Sequence, residues 1–149
     1  MDRQYYASAE ERRAEIQAQA HAMGITEDYI STLVDRFYER VRADELIGPI
    51  FEQAIGDDWP PHLAKMKLFW SSVALNTGAY SGKPVPTHLK LSRVQPRHFK
   101  VWLTLFRQTL EETAPSRDAI KYFMERAERI AQSLQLAMFG VPGIPPKRV

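Results

Sequence analysis

The chain has 149 residues, a length that suits one domain able to bury a core without disulfides or a structural metal. It contains no cysteine, which excludes disulfides, iron–sulfur clusters, thiolate metal ligation and cysteine nucleophiles. Its net charge of +2 comes from interspersed signs, without the basic and aromatic clustering of a nucleic-acid groove. The charged N-terminus shows neither a signal peptide nor a membrane span, so we expect a soluble cytoplasmic protein that binds neither nucleic acid nor membrane.

Helical periodicity dominates, and no segment alternates apolar and polar residues over the length of a core strand, so we predict an all-α fold. A first helix over roughly residues 9–23 is rich in Glu, Arg, Gln and Ala, and its weak apolar face favours a peripheral position. Gly24 follows as a left-handed cap, and Thr26 is predicted to cap the second helix. The buried stripe of that second helix, with Tyr38 beside it, comprises Ile30, Leu33, Val34, Phe37 and Val41.

Proline and glycine divide the rest of the chain. Gly48-Pro49 is predicted to break it, which leaves Phe51 in a short irregular corner. Pro60-Pro61 is expected to start a third long helix that stops near Gly78. Two further helices are predicted to open at Pro96 and Pro115, and the Pro/Gly-rich residues 140–149 are expected to be disordered or extended.

Two histidines point to a cofactor. In the third helix His62, Met66 and Phe69 follow at spacings of four and three residues, so they share one face, with Trp70 next to them. His88 lies in a segment, residues 80–96, that has room only for a short helix. Two histidines facing one apolar slot suggest haem, which needs one imidazole for its iron and an apolar pocket for its ring.

Several segments carry a family resemblance: Phe37-Tyr38-Glu39-Arg40-Val41-Arg42-Ala43-Asp44, Leu46-Ile47-Gly48-Pro49-Ile50-Phe51, Trp59…His62, Phe69-Trp70 and His88-Leu89-Lys90-Leu91. With them the sequence resembles the group III truncated haemoglobins, from about residue 26 to residue 138. The resemblance implies a two-over-two helical sandwich with haem b as cofactor. We expect an N-terminal helical extension over residues 1–25, a truncated globin domain over 26–139 and the tail over 140–149.

The resemblance also assigns roles to individual residues. His88 is implied as the proximal ligand of the iron, and His62 is implied to occupy the distal position above it. From that position His62 could also bind the iron or act as a gate that swings out to solvent. Tyr38 and Trp102 are implied to reach the bound ligand, and Phe51 to stack on the porphyrin. Tyr38, His62 and Trp102 are accordingly the candidate catalytic residues.

Placement in the sequence suggests further contacts with the haem. The cations Lys65 and Arg93, together with Tyr80, are candidate partners of the propionates. The remaining candidates supply apolar walls: Met66, Phe69, Leu91, Val94 and Phe99. His98 is the rival iron ligand, but its place beside Arg97 and Lys100 is more typical of a solvated helix face.

We interpret the chain as a haem protein that binds dioxygen, nitric oxide, peroxide or cyanide, for reactive-ligand chemistry rather than storage. Nitric oxide dioxygenase-like or peroxidase-like turnover would require a reductase, which the sequence does not identify; we expect a monomer or weak dimer. One alternative is a six-coordinate electron-transfer protein in which His62 also binds the iron. Another is a haem-free helical interaction module.

Overall fold

The computed structural model describes residues 2–76 and 94–140, and these ranges hold six α-helices and no strand. The all-α prediction is confirmed. No helix in the described ranges is long and apolar enough to cross a membrane. In chain order the helices are α1 (Asp2–Ala22), α2 (Glu27–Ala43), α3 (Gly48–Ile55), α4 (Trp59–Leu75), α5 (Pro96–Thr113) and α6 (Arg117–Phe139).

Helix α2 is the central element. The Thr26 side chain caps it, as predicted, by accepting a hydrogen bond of 3.1 Å from the Tyr29 N–H. The predicted stripe is buried, and the helix packs against α3, α4 and α5. One ion pair joins it to each of these neighbours, and the pairs are Arg42–Glu52, Asp35–Lys67 and Arg40–Glu112.

The corner after α2 is helical, which corrects the irregular corner predicted there. Phe51 lies within α3, and Pro49 lies in the first turn of that helix. A proline is favourable at this place because its missing N–H has no partner in the first turn and its fixed φ suits the helix. The pair Gly48-Pro49 therefore starts a helix instead of only breaking one.

Three other helix ends differ from the predictions. Helix α4 ends at Leu75, before the stop predicted near Gly78, and Asn76 adopts the left-handed conformation (φ 53°) at this end. Helix α6 begins at Arg117, two residues after Pro115. The Ser116 side chain caps it by accepting a hydrogen bond from the Ala119 N–H. Helix α1 begins earlier than expected, at Asp2, in a stretch without proline or glycine.

Helix α1 is attached to the body of the protein at its C-terminal end. Ala20 and Ile25 are fully buried, and α1 packs on α4. The Ser116 hydroxyl donates a hydrogen bond of 2.8 Å to the carbonyl oxygen of Met23. Gly24 has a φ of +87°, and a Cβ there would lie 2.7 Å from the Pro115 side chain, so glycine satisfies both the cap and the close approach.

An aromatic stack joins α4 to α5. Phe106 is stacked on Trp70 at a centroid distance of 5.0 Å and on Trp102 at 5.6 Å. Trp70, which the sequence places next to the His62 face of α4, is a core residue with 2% of its surface exposed. A second, smaller apolar cluster of Phe99, Ala131 and Leu134 lies between α5 and α6.

Candidate functional site

Two adjacent aromatic residues of α2, whose rings meet edge-on at 5.0 Å, extend towards different neighbouring helices. Successive residues of a helix point about 100° apart, so Phe37 and Tyr38 cannot share a face. Phe37 contacts α5 through Trp102, at a centroid distance of 5.4 Å. Tyr38 instead faces α3 and α4, where its ring meets Phe51 at 6.1 Å and His62 at 5.1 Å. Residues 37 and 38 of α2 thus contact candidate residues on three other helices, α3, α4 and α5.

The Tyr38 hydroxyl is the candidate hydrogen-bond donor of this site. The residue is 5% exposed. Burial raises the pKa of Tyr38, because the phenolate would lose its hydration. The phenol therefore stays protonated and can donate a hydrogen bond to a polar ligand.

His62 lies in the first turn of α4. Its backbone N–H donates a hydrogen bond of 3.2 Å to the Asp58 carbonyl, which fixes the start of the helix. The imidazole stands edge-on to Tyr38, with an interplanar angle of 86°, and its Nε2 atom is buried. In this structure the ring points towards α2.

The other predicted wall residues of α3, α4 and α5 are half-buried. Phe51, Met66, Phe69 and Trp102 all pack against the main apolar core while keeping accessible surface. Lys65, the candidate propionate partner of α4, is exposed. Apolar side chains that keep accessible surface are available for contact with a further apolar group.

The remaining candidates lie elsewhere or outside the described residues. Phe99 is 7% exposed and belongs to the α5–α6 cluster, against which Val94 also packs. This cluster is separate from the Tyr38–His62 pair. The other four candidates are outside the described residues: Tyr80, His88, Leu91 and Arg93.

His98, the rival iron ligand, is engaged in the capping of α5. Its Nδ1 atom accepts a hydrogen bond of 2.9 Å from the Gln95 backbone N–H. Partial burial, and next the positive charge of Arg97, lower the pKa of His98, so the neutral ring is favoured. A neutral ring whose Nδ1 accepts carries its proton on Nε2 and has no lone pair left for a metal.

Two side chains to which the sequence assigned no individual role lie beside the Tyr38–His62 pair. Trp59 lies three residues before His62, on the same face of α4, and contacts both His62 and Tyr38. The Arg42 guanidinium lies over the Trp59 ring, 4.5 Å from its centroid. Helical spacing could have indicated Trp59, whereas the Arg42 contact depends on how α2 and α4 pack.

The comparisons with known proteins agree on one class. A family model of bacterial-like globins matches residues 21–136. The group 3 truncated haemoglobin of Campylobacter jejuni is 34% identical over 122 residues, which cover 80% of this chain and 95% of that protein. The crystal structure of the group III truncated haemoglobin from Campylobacter jejuni superposes with a TM-score of 0.73 at 35% identity, covering 77% of this chain and 92% of that one.

These matches define a globin, a class of haem proteins that bind small ligands. The chain belongs to the bacterial-like globin family, among its group III truncated haemoglobins.

The described residues fit a haem. A porphyrin is flat and largely apolar, and the half-buried faces of Phe51, Met66 and Trp102 offer it matching surface. The buried Tyr38 hydroxyl offers a hydrogen bond to a ligand beside the ring. No group of three His, Asp or Glu side chains within residues 2–76 and 94–140 could hold a bare metal ion.

Proposed function

We propose that this globin binds haem b through His88 and uses Tyr38, His62 and Trp102 for chemistry on dioxygen, nitric oxide or peroxide rather than for storage. The observation that carries the proposal is the buried Tyr38 phenol, protonated and edge-on to His62. Haem, held by His88, would supply an iron atom that binds a small ligand.

The three polar side chains have different capacities. The Tyr38 hydroxyl and the Trp102 indole N–H donate hydrogen bonds, and the indole cannot accept one. Such donors stabilise a ligand on which negative charge develops. The His62 imidazole can also hold or release a proton near neutral pH, which the other two groups cannot. Donors combined with a proton carrier favour reactive-ligand chemistry.

The choice of His88 as the iron ligand is supported by the state of two other histidines. His21 is exposed on α1, and His98 Nδ1 already accepts the Gln95 N–H. His62 faces Tyr38, and the family resemblance implies for it the distal position, opposite the proximal ligand. His88, at the position of the family's proximal histidine, is the one we assign to the iron.

The proposal also includes a setting for the protein. We place it in the cytoplasm as a monomer or weak dimer, with a separate reductase that returns the iron to the ferrous state. In this proposal His62 serves the bound ligand, whereas in six-coordinate electron transfer His62 would itself bind the iron.

The assignment is tested by haem binding to matched alanine variants. We expect His88→Ala to lose haem or its native absorption bands, and free imidazole to restore them by replacing the missing ligand. His98→Ala, the control, should retain the wild-type spectrum. A His88→Ala protein with the wild-type spectrum, or loss of haem from His98→Ala, would contradict the assignment.

A further inference from the structure

We propose that Trp59 is a positioning residue for His62 and that the Arg42 side chain, from the protein surface, holds Trp59 in place. The inference rests on the proposed function, in which His62 serves the ligand pocket. It adds to that function a surface contact that sets how freely His62 leaves the pocket.

Trp59 forms one wall of the His62 environment. The indole is 5% exposed, and its ring is 5.6 Å from the His62 ring at an interplanar angle of 88°. The same indole is 5.8 Å from the Tyr38 ring. The three rings are thus mutual neighbours, and the imidazole contacts one ring from α2 and one from its own helix.

No hydrogen bond within the described residues fixes the Trp59 ring. Its buried Nε1–H has no hydrogen-bond partner in the part of the chain that the structure describes. Buried indole N–H groups usually find a partner, and one that does is anchored by it. The orientation of Trp59 therefore depends on packing and on the Arg42 guanidinium, 4.5 Å from the ring centroid, through a cation–π contact.

Arg42 is itself held in position. Its Nε–H donates a hydrogen bond of 2.8 Å to the Glu52 carboxylate on α3. The corner that carries α3 is fixed by Asp44, whose Oδ1 atom accepts the backbone N–H groups of Leu46 (2.9 Å) and Ile47 (3.0 Å). Glu52 therefore stands at a defined place and directs the guanidinium over the indole.

The Arg42–Trp59 contact links an exposed ion pair to buried aromatic rings. The Arg42 and Glu52 side chains keep 48% and 43% of their surface exposed, whereas Trp59 and Tyr38 are buried. Loss of the guanidinium would free the outer face of Trp59. An indole that can shift releases one side of the imidazole, and His62 can then rotate out of the pocket more often, which opens a path for ligands.

The test uses the ferrous protein with haem and carbon monoxide as the probe. The infrared stretching bands of bound carbon monoxide report the fraction of molecules with a polar side chain beside the ligand, and flash photolysis gives the association rate. We expect Arg42→Gln to reduce the polar fraction and to raise the association rate roughly fivefold, the equilibrium effect of one exposed cation–π contact. Trp59→Leu should act in the same direction.

Arg36→Gln is the matched control, because Arg36 also lies on α2 and pairs with an exposed carboxylate, that of Glu39. It should leave both readouts unchanged. In a His62→Leu background, Arg42→Gln should no longer alter the rate, since the effect passes through His62.

The results separate this inference from the proposed function. Unchanged bands and rates in Arg42→Gln, equal effects of Arg36→Gln, or an undiminished effect in the His62→Leu background would each overturn the positioning role. A wild-type protein that binds no haem, and so gives no carbon monoxide band, would overturn the proposed function and this inference with it.

Discussion

The imidazole of His62 meets the phenol ring of Tyr38 edge-on, with ring centroids 5.1 Å apart. The two residues come from different helices, α4 and α2, and the ion pair between Lys67 and Asp35 (3.0 Å) joins the same two helices. The packing of these helices thus brings the Tyr38 phenol and the His62 imidazole together. This pairing is the basis of the predictions on ligand binding.

Removal of the Tyr38 hydroxyl should weaken ligand retention. A hydrogen bond to a charged group contributes about 1.5–3 kcal/mol, so Tyr38→Phe should speed dioxygen dissociation roughly ten- to a hundredfold while keeping the ring contacts. Stopped-flow displacement of dioxygen measures the rate. Tyr29→Phe is the control, because that hydroxyl, also on α2, contacts Thr113 instead (3.0 Å). An unchanged rate in Tyr38→Phe would remove Tyr38 from the mechanism.

The Trp102 indole N–H should contribute separately. Trp102→Phe keeps a ring that can stack on Phe106 but removes the indole N–H, so dioxygen dissociation should become roughly tenfold faster. The smaller ring should also cost a modest amount of stability. The control is Trp70→Phe, which alters the other indole stacked on Phe106. It should lower the free energy of unfolding and leave the rate unchanged. Equal rate effects from both variants would indicate a general loosening of the core.

The His98 cap should make the stability of the protein depend on pH. Its pKa in the folded protein is lower than the ordinary value of 6.5, so the unfolded chain binds more protons near that pH. The stabilisation is present above about pH 6.5 and is lost as the pH falls. Urea unfolding between about pH 5 and 8 should show a difference between wild type and His98→Gln that shrinks on acidification. A constant difference would show that the cap does not titrate; His21→Gln serves as the control.

Gly48 allows α3 to approach the end of α2. A Cβ at this residue would lie 2.9 Å from the Arg42 carbonyl oxygen and 3.0 Å from that of Val41, and both atoms are backbone. Gly48→Ala should therefore lower the free energy of unfolding by about 1–3 kcal/mol. The exposed Gln53→Ala on the same helix should change it by less than about 0.5 kcal/mol. A fully stable Gly48→Ala protein would show that the corner can shift.

The fold was largely predictable from local signals. The stripe of α2 and its Thr26 cap follow from helical periodicity and from the preference of hydroxyl side chains for the N-cap. The helix at Phe51 was not predicted, because a proline can either end a helix or occupy its first turn. Which of these occurs at Pro49 depends on the packing of α3 against α2.

The site was predictable only in part. The resemblance indicated Tyr38, His62 and Trp102, and the structure brings Tyr38 and His62 together. The Arg42–Trp59 contact joins α2 to the start of α4, so no sequence periodicity reveals it. The capping of α5 by His98 is local, but the neighbouring charges Arg97 and Lys100 suggested only a solvated face.

The absorption spectrum of the purified, haem-containing protein, reduced without oxygen and then exposed to dioxygen, tests the central claim most directly. We expect a five-coordinate ferrous spectrum that shifts when dioxygen is added, because one histidine would hold the iron and leave it able to bind a ligand. A low-spin six-coordinate spectrum before any gas is added would contradict it in favour of electron transfer. A protein that stays colourless after incubation with haem would contradict the account altogether.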